Sequence, residues 1–489
     1  MASLKQIVRS IGLDSPDIDV SYLSCNTADV RKDTLFIAFK GLHFDARSVI
    51  TDVVKNGAVA VIYDDCDDGF IPPNCGVPCL PCHNLVLCQS KIASIFYDKP
   101  SSKLKLIGVT GTNGKSTVTH LVAQWSSLLG VKTGVMGTIG TGFYPNLKPS
   151  ANTTMQALDL EKELSSLQSD GASAIAMEVS SHGLALKRVE ELQFSIAAFT
   201  NLSRDHLDFH KTMENYANTK FELFKMVESQ NTVINVDDPI GIEFYNKLPN
   251  ALRFSCHHID GDSVLYAKSI DYVPHGIIVN VAGSYGTAEL SVPLIGGFNV
   301  QNLLCATGIM LLMGFKLFDL ALTAPKLNAV CGRMECFKSK NSPLLIVDYA
   351  HTPDGLEKAL MAIKEHNFGH VTCICGCGGD RDTGKRPIMA KIACDMADKV
   401  IFTNDNPRTE DPSKIIEMML HGVSDCKNYS VIFDRTEAIT KAFKDSKNGD
   451  VILIAGKGHE DYQIIGLKKH HYSDRELAQK LVEKIDDNN

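Results

Sequence analysis

The chain has 489 residues, of which 44% are hydrophobic and 22% are charged, and its formal net charge is −8. A chain of this length is too long to fold around one hydrophobic core, so we predict a soluble globular protein of about three domains. The negative net charge excludes a general attraction to nucleic acid or anionic membranes. No apolar run is long enough to span a bilayer, and fifteen scattered cysteines without a secretion signal favour a reduced, cytoplasmic protein.

The N-terminal stretch predicts a first α/β unit. Strands are expected at 34–39 and 58–63, because both are runs of apolar and β-branched residues. Cys75, Cys79 and Cys82 have nearly the spacing of metal ligands, but they lack a second matching pair. We interpret this stretch as an irregular loop beside a strand, with a zinc site as the alternative.

Residues 106–117 predict a phosphate-binding loop between a strand and a helix. An apolar run is followed by glycines, and a helical pattern begins at about Lys115. Gly111 and Gly114 let the backbone approach phosphate oxygens, Lys115 can reach the terminal phosphates, and the Ser116 hydroxyl can ligate Mg²⁺. Because the pattern departs from a strict P-loop, a plain glycine turn is the alternative.

A second unit at 103–335 is predicted to contain a mostly parallel sheet. Strands are expected at 104–110, 132–136, 174–178, 195–200 and 232–236. Glu178 ends one strand and His206 follows another, so both are expected beside the glycine loop as part of a Mg²⁺ shell. The alternative is that each is an ordinary cap or loop residue. From 253 to 293 the pattern changes to short alternating strands, which predicts an antiparallel patch.

A third unit at 336–489 repeats the strand and helix alternation and predicts a Rossmann-like domain. Its strands are expected at 344–348, 370–375, 399–403, 430–433 and 451–455. Polar clusters follow four of these strands, which places a ligand crevice at their carboxyl ends.

Motifs in the second and third units resemble the ATP-dependent Mur ligases. They are Gly111-Thr-Asn-Gly-Lys, Glu178-Val-Ser-Ser-His-Gly, Phe199-Thr-Asn-Leu-Ser-Arg-Asp-His-Leu-Asp, Val347-Asp-Tyr-Ala-His-Thr-Pro, Gly378-Gly-Asp-Arg-Asp, Asp405-Asn-Pro-Arg-Thr-Glu and Ala455-Gly-Lys-Gly-His-Glu-Asp-Tyr. They are most similar to members that add the third peptide residue to UDP-N-acetylmuramoyl-L-alanyl-D-glutamate. Folylpolyglutamate synthases share the loop but carry it near their N terminus, and are the runner-up. A nucleotide-gated regulatory protein is the non-enzyme alternative.

The resemblance implies three α/β domains: a UDP-sugar-binding domain at 1–102, an ATP-binding domain at 103–335 and an amino-acid-binding domain at 336–489. It implies ATP and two Mg²⁺ as cofactors, small-molecule substrates as partners, and a monomer. The implied nucleotide contacts are Gly111, Thr112, Asn113, Gly114, Lys115, Ser116, Thr117, Asn302, Arg333 and Asp348.

Lys115, Glu178, His206 and Lys220 are the implied catalytic residues. Ser116 and Glu178 would share one metal, and His206 and a carbamylated Lys220 the other. Without the resemblance, Lys220 would be interpreted as a solvated lysine on a helix face. The implied contacts of the UDP-sugar peptide are Thr27, Leu42, His43, Phe44, Asn152, Thr153, Thr154, Ser180 and Arg188. Position 186 is Leu where some members have Gln, which puts one polar contact in doubt.

Arg408 is expected to select the amino acid. Diaminopimelate carries a distal carboxylate that lysine lacks, and the planar fork of an arginine can bind a carboxylate through two hydrogen bonds. We therefore expect meso-2,6-diaminopimelate, with L-lysine as the alternative substrate. The implied contacts are Arg381, Asp405, Asn406, Pro407, Arg408, Gly456 and Glu460. In the competing interpretation, Arg408 forms a surface ion pair with Glu410 or Asp411.

Overall fold

The computed structural model describes residues 2–41, 44–150, 152–274, 276–423 and 426–486. The chain divides into two compact units, one formed by Met1–Arg253 with Gly308–Met313 and the other by Phe254–Thr307 with Gly314–Asn489. The finer division into three domains at residues 102 and 335 stays a prediction. Throughout the described ranges, no helix combines the length and the apolar character needed to cross a membrane.

The N-terminal part of the first unit contains a parallel sheet in the order β3-β4-β5-β6. Its strands, with a short pair before them, are β1 (Ala2–Ser3), β2 (Asp19–Val20), β3 (Tyr22–Ser24), β4 (Thr34–Ala38), β5 (Ala58–Asp65) and β6 (Cys79–His83). The helices are α1 (Leu4–Arg9), α2 (Ile50–Lys55) and α3 (Leu85–Phe96). Strand β4 is buried along its whole length, as expected for a parallel strand covered on both faces.

Strand β6 corrects the interpretation of residues 75–82 as an irregular loop. Cys79 packs on one face of this sheet, where its Sγ lies 3.5 Å from the Sγ of Cys75, and Cys82 belongs to the core cluster on the other face. The three thiols are therefore not gathered at one point. Within the described ranges, no group of three or more His, Cys, Asp or Glu side chains is placed to hold a metal ion.

The rest of the first unit is built on parallel strands in the order β8-β11-β7-β12-β13, with antiparallel β9 and β10 beyond β8. The strands are β7 (Lys105–Thr110), β8 (Thr133–Met136), β9 (Thr141–Phe143), β10 (Asn146–Lys148), β11 (Ala174–Glu178), β12 (Phe194–Phe199), β13 (Thr232–Asn235) and β14 (Leu252–Ser255). The helices are α4 (Lys115–Leu128), α5 (Ala157–Ser169), α6 (Ser181–Ala185), α7 (Leu207–His210), α8 (Met213–Phe221) and α9 (Pro239–Lys247). The mostly parallel sheet is confirmed, and each predicted strand is found with its ends within one residue of the prediction.

The second unit begins with the antiparallel strands β15-β16-β17, as predicted. A six-stranded sheet follows in the order β18-β19-β23-β20-β21-β22, parallel except for β18. The strands are β15 (Val264–Val273), β16 (Gly276–Gly283), β17 (Ala288–Val292), β18 (Glu335–Phe337), β19 (Leu344–Asp348), β20 (Val371–Cys375), β21 (Lys399–Phe402), β22 (Tyr429–Val431), β23 (Val451–Ala455), β24 (Tyr462–Ile465) and β25 (Lys468–His471). The helices are α10 (Phe298–Leu312), whose last five residues are assigned to the first unit, α11 (Leu317–Thr323), α12 (Pro353–Glu365), α13 (Lys385–Met396), α14 (Pro412–Leu420), α15 (Arg435–Asp445) and α16 (Asp474–Asp486).

Core clusters cover both faces of this six-stranded sheet, so its central strands are buried. The hairpin of β24 and β25 was not predicted from the sequence. It lies directly after the last polar cluster and pairs with the segment that carries Arg408, through a bridge between Arg408 and Ile465. This hairpin therefore supports the predicted amino-acid site.

Candidate active site

The glycine loop joins β7 to α4 and requires glycine at two positions. Gly111 has φ +147° and Gly114 has φ +87°, conformations that favour glycine over other residues. A Cβ on Gly111 would also collide with the Thr200 hydroxyl. The loop therefore holds its backbone close to a neighbouring strand end, which a larger residue would prevent.

The end of β12 fixes the conformation of this loop. The Asn201 carbonyl accepts a hydrogen bond from the Thr112 backbone N–H at 2.8 Å, and the Asn201 side-chain oxygen accepts one from the Asn113 N–H at 3.0 Å. The Thr200 hydroxyl donates to the Asn113 carbonyl at 2.6 Å. These three bonds hold the glycine loop in its conformation. Their partners, Thr200 and Asn201, lie outside the glycine loop, in the motif that begins at Phe199.

The Lys115 ammonium folds back over the loop, where Nζ donates to the carbonyls of Gly111 at 3.0 Å and Thr112 at 2.9 Å. Beside it, the Ser116 hydroxyl donates to Glu178 Oε1 at 2.8 Å. Strands β11 and β7 are neighbours, so Glu178 ends next to the loop as predicted. Thr117 follows in the first turn of α4.

Glu178 is almost fully buried and is held by Thr138. The Thr138 backbone N–H donates to Oε1 at 2.9 Å and its hydroxyl donates to Oε2 at 3.2 Å, while the hydroxyls of Thr138 and Thr153 lie 2.9 Å apart. A buried carboxylate needs such donors, because its desolvation is otherwise costly. Sequence reasoning missed Thr138.

Three residues predicted to bind the UDP-sugar peptide meet beside Glu178. The buried Thr154 hydroxyl donates to the Glu178 carbonyl at 3.0 Å and accepts from the Ser180 N–H at 2.9 Å. Arg188 Nη1 donates to the Thr154 carbonyl at 2.8 Å. Asn152 is exposed, and its carbonyl accepts from a neighbouring serine.

The other predicted UDP-sugar residues lie in the N-terminal sheet region. Thr27 begins a 3₁₀ helix, and Phe44 is 58% exposed. Leu42 and His43 lie outside the described residues. The structure therefore describes Thr27 and Phe44 as surface groups, without polar contacts that would assign them a ligand.

Lys220 is buried rather than solvated, so its interpretation as a solvated helix-face lysine is wrong. Its Nζ donates to the Gly111 carbonyl at 2.8 Å and lies 4.5 Å from the centre of the Tyr216 ring. Burial, and secondarily the nearby Lys115, hold the pKa of Lys220 well below its usual value. The amine is thereby shifted towards its neutral form directly beneath the phosphate loop.

His206 lies at the start of α7 and is about half exposed. Its ring centroid is 4.9 Å from that of His182 and 6.2 Å from that of Tyr216. The Tyr216 hydroxyl lies 3.3 Å from the Thr112 hydroxyl. Tyr216 therefore connects the surroundings of His206 and Lys220 to the loop, a role that the sequence did not reveal.

Asp348 and Arg333 form a second polar group, at the end of β19. Asp348 accepts hydrogen bonds from the backbone N–H groups of Met334 at 2.7 Å and Ala350 at 2.8 Å, and burial raises the pKa of Asp348. The Arg333 guanidinium lies 4.8 Å from the centre of the Tyr349 ring.

The asparagines at the start of α10 bond mainly to each other and to the backbone. Asn302 Nδ2 donates to Asn299 Oδ1 at 2.9 Å, and Asn299 Nδ2 donates to the Ile295 carbonyl at 2.8 Å. Asn299 thus ties the start of the helix to the preceding residues, and Asn302 is bonded to it.

Arg408 is positioned by the backbone and not by an acid. It has φ +51°, its N–H donates to the Ile464 carbonyl at 3.1 Å, and its Nη1 donates to the Gly379 carbonyl at 2.7 Å. Glu410 instead forms an ion pair with Arg386 at 2.8 Å, and none of the ion pairs in the described ranges includes Arg408. The predicted alternative, a surface pair of Arg408, is not formed.

A charged cluster lies next to Arg408. Lys457, which is fully buried, donates to Asn406 Oδ1 at 3.1 Å and to Glu460 Oε2 at 3.2 Å, and lies 3.7 Å from Asp405 Oδ1. A Cβ on Gly456, which has φ +119°, would lie 2.7 Å from Asp405 Oδ2. Of the remaining predicted residues, Pro407 is buried and Arg381 is exposed.

Sequence comparison identifies the family. The Mur ligase middle domain profile matches residues 109–310, and the profile described as Mur ligase, glutamate ligase domain matches 332–458. A Haemophilus influenzae (strain PittEE) protein named UDP-N-acetylmuramoyl-L-alanyl-D-glutamate--2,6-diaminopimelate ligase is 45% identical over 471 residues, covering 94% of this chain and 96% of its own. The chain belongs to the Mur ligase family. A protein of the same name from Vibrio parahaemolyticus is 46% identical, covering 95% of this Mur ligase and 94% of its own length.

A solved structure of a protein with that name extends the similarity to the fold. It is 33% identical to this Mur ligase, with a TM-score of 0.73 and coverage of 99% of each chain. The Mur ligase motifs thus occur on the fold that the resemblance implied. Sequence reasoning missed the residues that hold those motifs in place, chiefly Thr138 and Tyr216, and it gave no role to Lys457 within its own motif.

Proposed function

We propose that this Mur ligase uses ATP to join meso-2,6-diaminopimelate to the D-glutamyl side-chain carboxylate of UDP-N-acetylmuramoyl-L-alanyl-D-glutamate. The near-full-length similarity to relatives of that name supports the reaction class. The observation that carries the choice of amino acid is Arg408, a guanidinium fixed by backbone bonds and outside the acidic ion pairs of the described ranges. A planar guanidinium can bind a distal carboxylate through two parallel hydrogen bonds.

In this reaction, a glutamyl carboxylate oxygen attacks the γ-phosphorus of ATP, ADP leaves, and an acyl phosphate forms. The amine of the amino acid then attacks the acyl carbon, loses a proton, and expels phosphate. The protein contributes positioning and charge neutralisation. Lys115 neutralises the terminal phosphates after exchanging its carbonyl partners for phosphate oxygens, and the N–H groups at the start of α4 bind the anion.

The residues at the loop fit Mg²⁺. Ser116 and Glu178 offer hard oxygen donors 2.8 Å apart, and Mg²⁺ sites of this kind take one or two protein ligands and complete their shell with phosphate oxygens and water. A bound ion would offset the charge that develops on the transferred phosphoryl group. Glu178 and Ser116 are proposed for one ion, and His206 with Lys220 for the other.

Lys220 fits a metal site only after modification. An ammonium repels a cation, whereas the neutral amine adds CO₂ and loses a proton to give a carbamate whose oxygens suit Mg²⁺. The burial of Lys220 beside the Gly111 carbonyl supports this proposal, because burying an ammonium is costly and none of the ion pairs in the described ranges includes Lys220.

The remaining residues keep their proposed roles. Thr153, Thr154, Ser180 and Arg188 are proposed for the UDP-sugar peptide together with Asn152, Thr27, Leu42, His43 and Phe44. Asn302, Arg333 and Asp348 are proposed for the nucleotide. Glu460 and Asp405 suit the ammonium at the distal end of the amino acid, with Arg408 for its carboxylate. We expect a cytoplasmic monomer.

Phosphate release and product mass test the proposal. Release is expected only when ATP, UDP-N-acetylmuramoyl-L-alanyl-D-glutamate and diaminopimelate are all present, and the product should gain one diaminopimelate residue. Incubation with L-lysine in its place is the matched control and should give little product. ATP turnover that ignores both co-substrates contradicts a ligase, and equal use of lysine contradicts the assignment of the amino acid.

A further inference from the structure

Lys457 follows β23 and is fully buried, although it carries an ammonium group. In the described part of the chain, its ammonium lies near Asn406 Oδ1 at 3.1 Å, Glu460 Oε2 at 3.2 Å and Asp405 Oδ1 at 3.7 Å. All three belong to the group proposed for diaminopimelate, whereas Lys457 itself has no assigned role. Burying an ammonium is costly unless it is paired and hydrogen-bonded, so the role of Lys457 is inferred from the partners that compensate for this cost.

The charge of the cluster suits an ammonium ligand. The carboxylates of Asp405 and Glu460 face the Lys457 ammonium, so these three side chains together carry one net negative charge beside the Arg408 guanidinium, which is proposed for the carboxylate of the ligand. Glu460 Oε2 is used by the protein, since it accepts from Lys457 and from Asn406 Nδ2 at 3.0 Å. Among the hydrogen bonds of the described residues, Oε1 accepts one, from the Tyr462 hydroxyl at 3.4 Å. Lys457 thus fixes one oxygen of Glu460 and leaves the other for a cationic group.

Lys457 also determines which way the Asn406 amide points. A lysine ammonium and the Ile464 N–H, at 2.9 Å, can only donate, so both require the amide oxygen on their side. The amide nitrogen is then directed to Glu460. The Ile464 carbonyl in turn accepts from the Arg408 N–H. One buried ammonium is therefore connected to both the acidic and the basic part of the site.

We propose that Lys457 is a positioning residue for the amino-acid substrate, holding Asp405, Asn406 and Glu460 in the geometry that binds the distal ammonium. The inference rests on the proposed function and extends it. It does not place Lys457 in contact with the substrate, and its effect is exerted through Glu460.

The test is a double-mutant cycle on steady-state kinetics with Lys457→Met, Glu460→Gln and the double variant. Lys457→Met should raise the Michaelis constant for diaminopimelate about 10- to 100-fold, by analogy with the loss caused by removing a residue that orients a metal ligand. The kcat at saturating diaminopimelate and the Michaelis constant for ATP should stay within about threefold. Because Lys457 acts through Glu460, the double variant should be no worse than the more damaged single variant.

Lys399→Met is the matched control, since Lys399 lies on β21 in an exposed ion pair with Asp445 and should leave all constants unchanged. Lys457→Gln keeps an N–H donor and provides a second route if Lys457→Met does not fold; it should also raise the Michaelis constant for diaminopimelate. The proposal would be overturned if the double variant raised the Michaelis constant for diaminopimelate by the product of the two single effects. It would also be overturned if Lys457→Met raised the Michaelis constants of all three substrates equally, or if neither Lys457 variant folded.

The wild-type enzyme separates this inference from the proposed function. If wild type does not use diaminopimelate, the proposed substrate is wrong. If it uses lysine instead, the same cycle is measured with lysine, which carries the same distal ammonium. An unchanged Michaelis constant in Lys457→Met, with a fully active wild type, contradicts the inference alone.

Discussion

At the scale of single residues, two side chains differ from what their local sequence suggests. Arg408 has acidic neighbours in sequence, yet its guanidinium bonds to the Gly379 carbonyl and leaves Glu410 to Arg386. Lys220 lies on a short helix among polar residues, yet it is buried beneath the glycine loop. In both cases the partner is a backbone carbonyl that lies far away in the sequence.

Arg408→Ala should raise the Michaelis constant for diaminopimelate roughly 30-fold, which corresponds to about 2 kcal/mol of lost binding free energy. This value is at the lower end of the cost of losing a buried charged contact, because Arg408 is partly exposed. The constants for ATP and for the UDP-linked substrate should change little. Initial rates with each substrate varied in turn measure this. Arg9→Ala, at an exposed arginine, is the control. An unchanged preference for diaminopimelate over lysine in Arg408→Ala would contradict the role of Arg408.

Lys220→Ala should lower kcat by roughly 100-fold or more, because it removes the group proposed to bind a metal. Added formate or acetate should restore part of the activity by supplying the missing oxygens. Carbon-13 NMR of wild type in labelled bicarbonate should show a carbamate signal that Lys220→Ala lacks. Lys225→Ala, at an exposed lysine paired with Glu222, should behave as wild type. Full activity of Lys220→Ala without added acid would contradict the assignment.

At the scale of elements, helices α3 and α5 pack together around a buried carboxyl group. Glu161 on α5 is fully buried, and neither of its oxygens has a hydrogen-bond partner in the described ranges. Burial raises the pKa of Glu161 to about 8, with a lesser opposing effect of the nearby Ser94 hydroxyl and a further increase from Glu191. The two helices therefore pack best around a neutral carboxylic acid.

This arrangement predicts a pH-dependent stability. The folded state binds the proton more tightly than the unfolded state, so the stability that Glu161 contributes is fully present below about pH 4.5 and is lost as the pH rises to about 8. The loss is on the order of a few kcal/mol and should be absent in Glu161→Gln. Thermal unfolding of both proteins from pH 5 to pH 9 measures it. Glu163→Gln on the same helix is the control and should follow wild type. Parallel curves for wild type and Glu161→Gln would contradict the prediction.

At the scale of the whole chain, the sequence predicted the strands that are buried on both faces, because these appear as continuous apolar runs. It missed β6, whose Pro81 argues against a strand, although a proline is tolerated on the edge strand that β6 is. It also missed the β24–β25 hairpin, where Leu467 is 94% exposed and the apolar pattern therefore gives no signal.

The candidate site residues could be located from the sequence, because ligands of parallel sheets bind at the carboxyl ends of the strands and this rule depends only on topology. The side chains that hold these residues in place could not be located, because their contacts come from distant parts of the chain. Thr138 reaches Glu178 across 40 positions, and Lys457 reaches Asn406 across 51. A local pattern also cannot distinguish a buried lysine from a solvated one, as Lys220 illustrates.

The folded-back position of Lys115 has a consequence for turnover under the role proposed for it, the neutralisation of the terminal phosphates of ATP. Its ammonium bonds to two carbonyls of its own loop, so an arriving triphosphate must compete with the loop for the same donor. After transfer, ADP carries less charge than ATP, and the carbonyls regain the ammonium more readily. The two hydrogen bonds that oppose nucleotide entry therefore favour product release, and they preserve the shape of the loop between one catalytic cycle and the next.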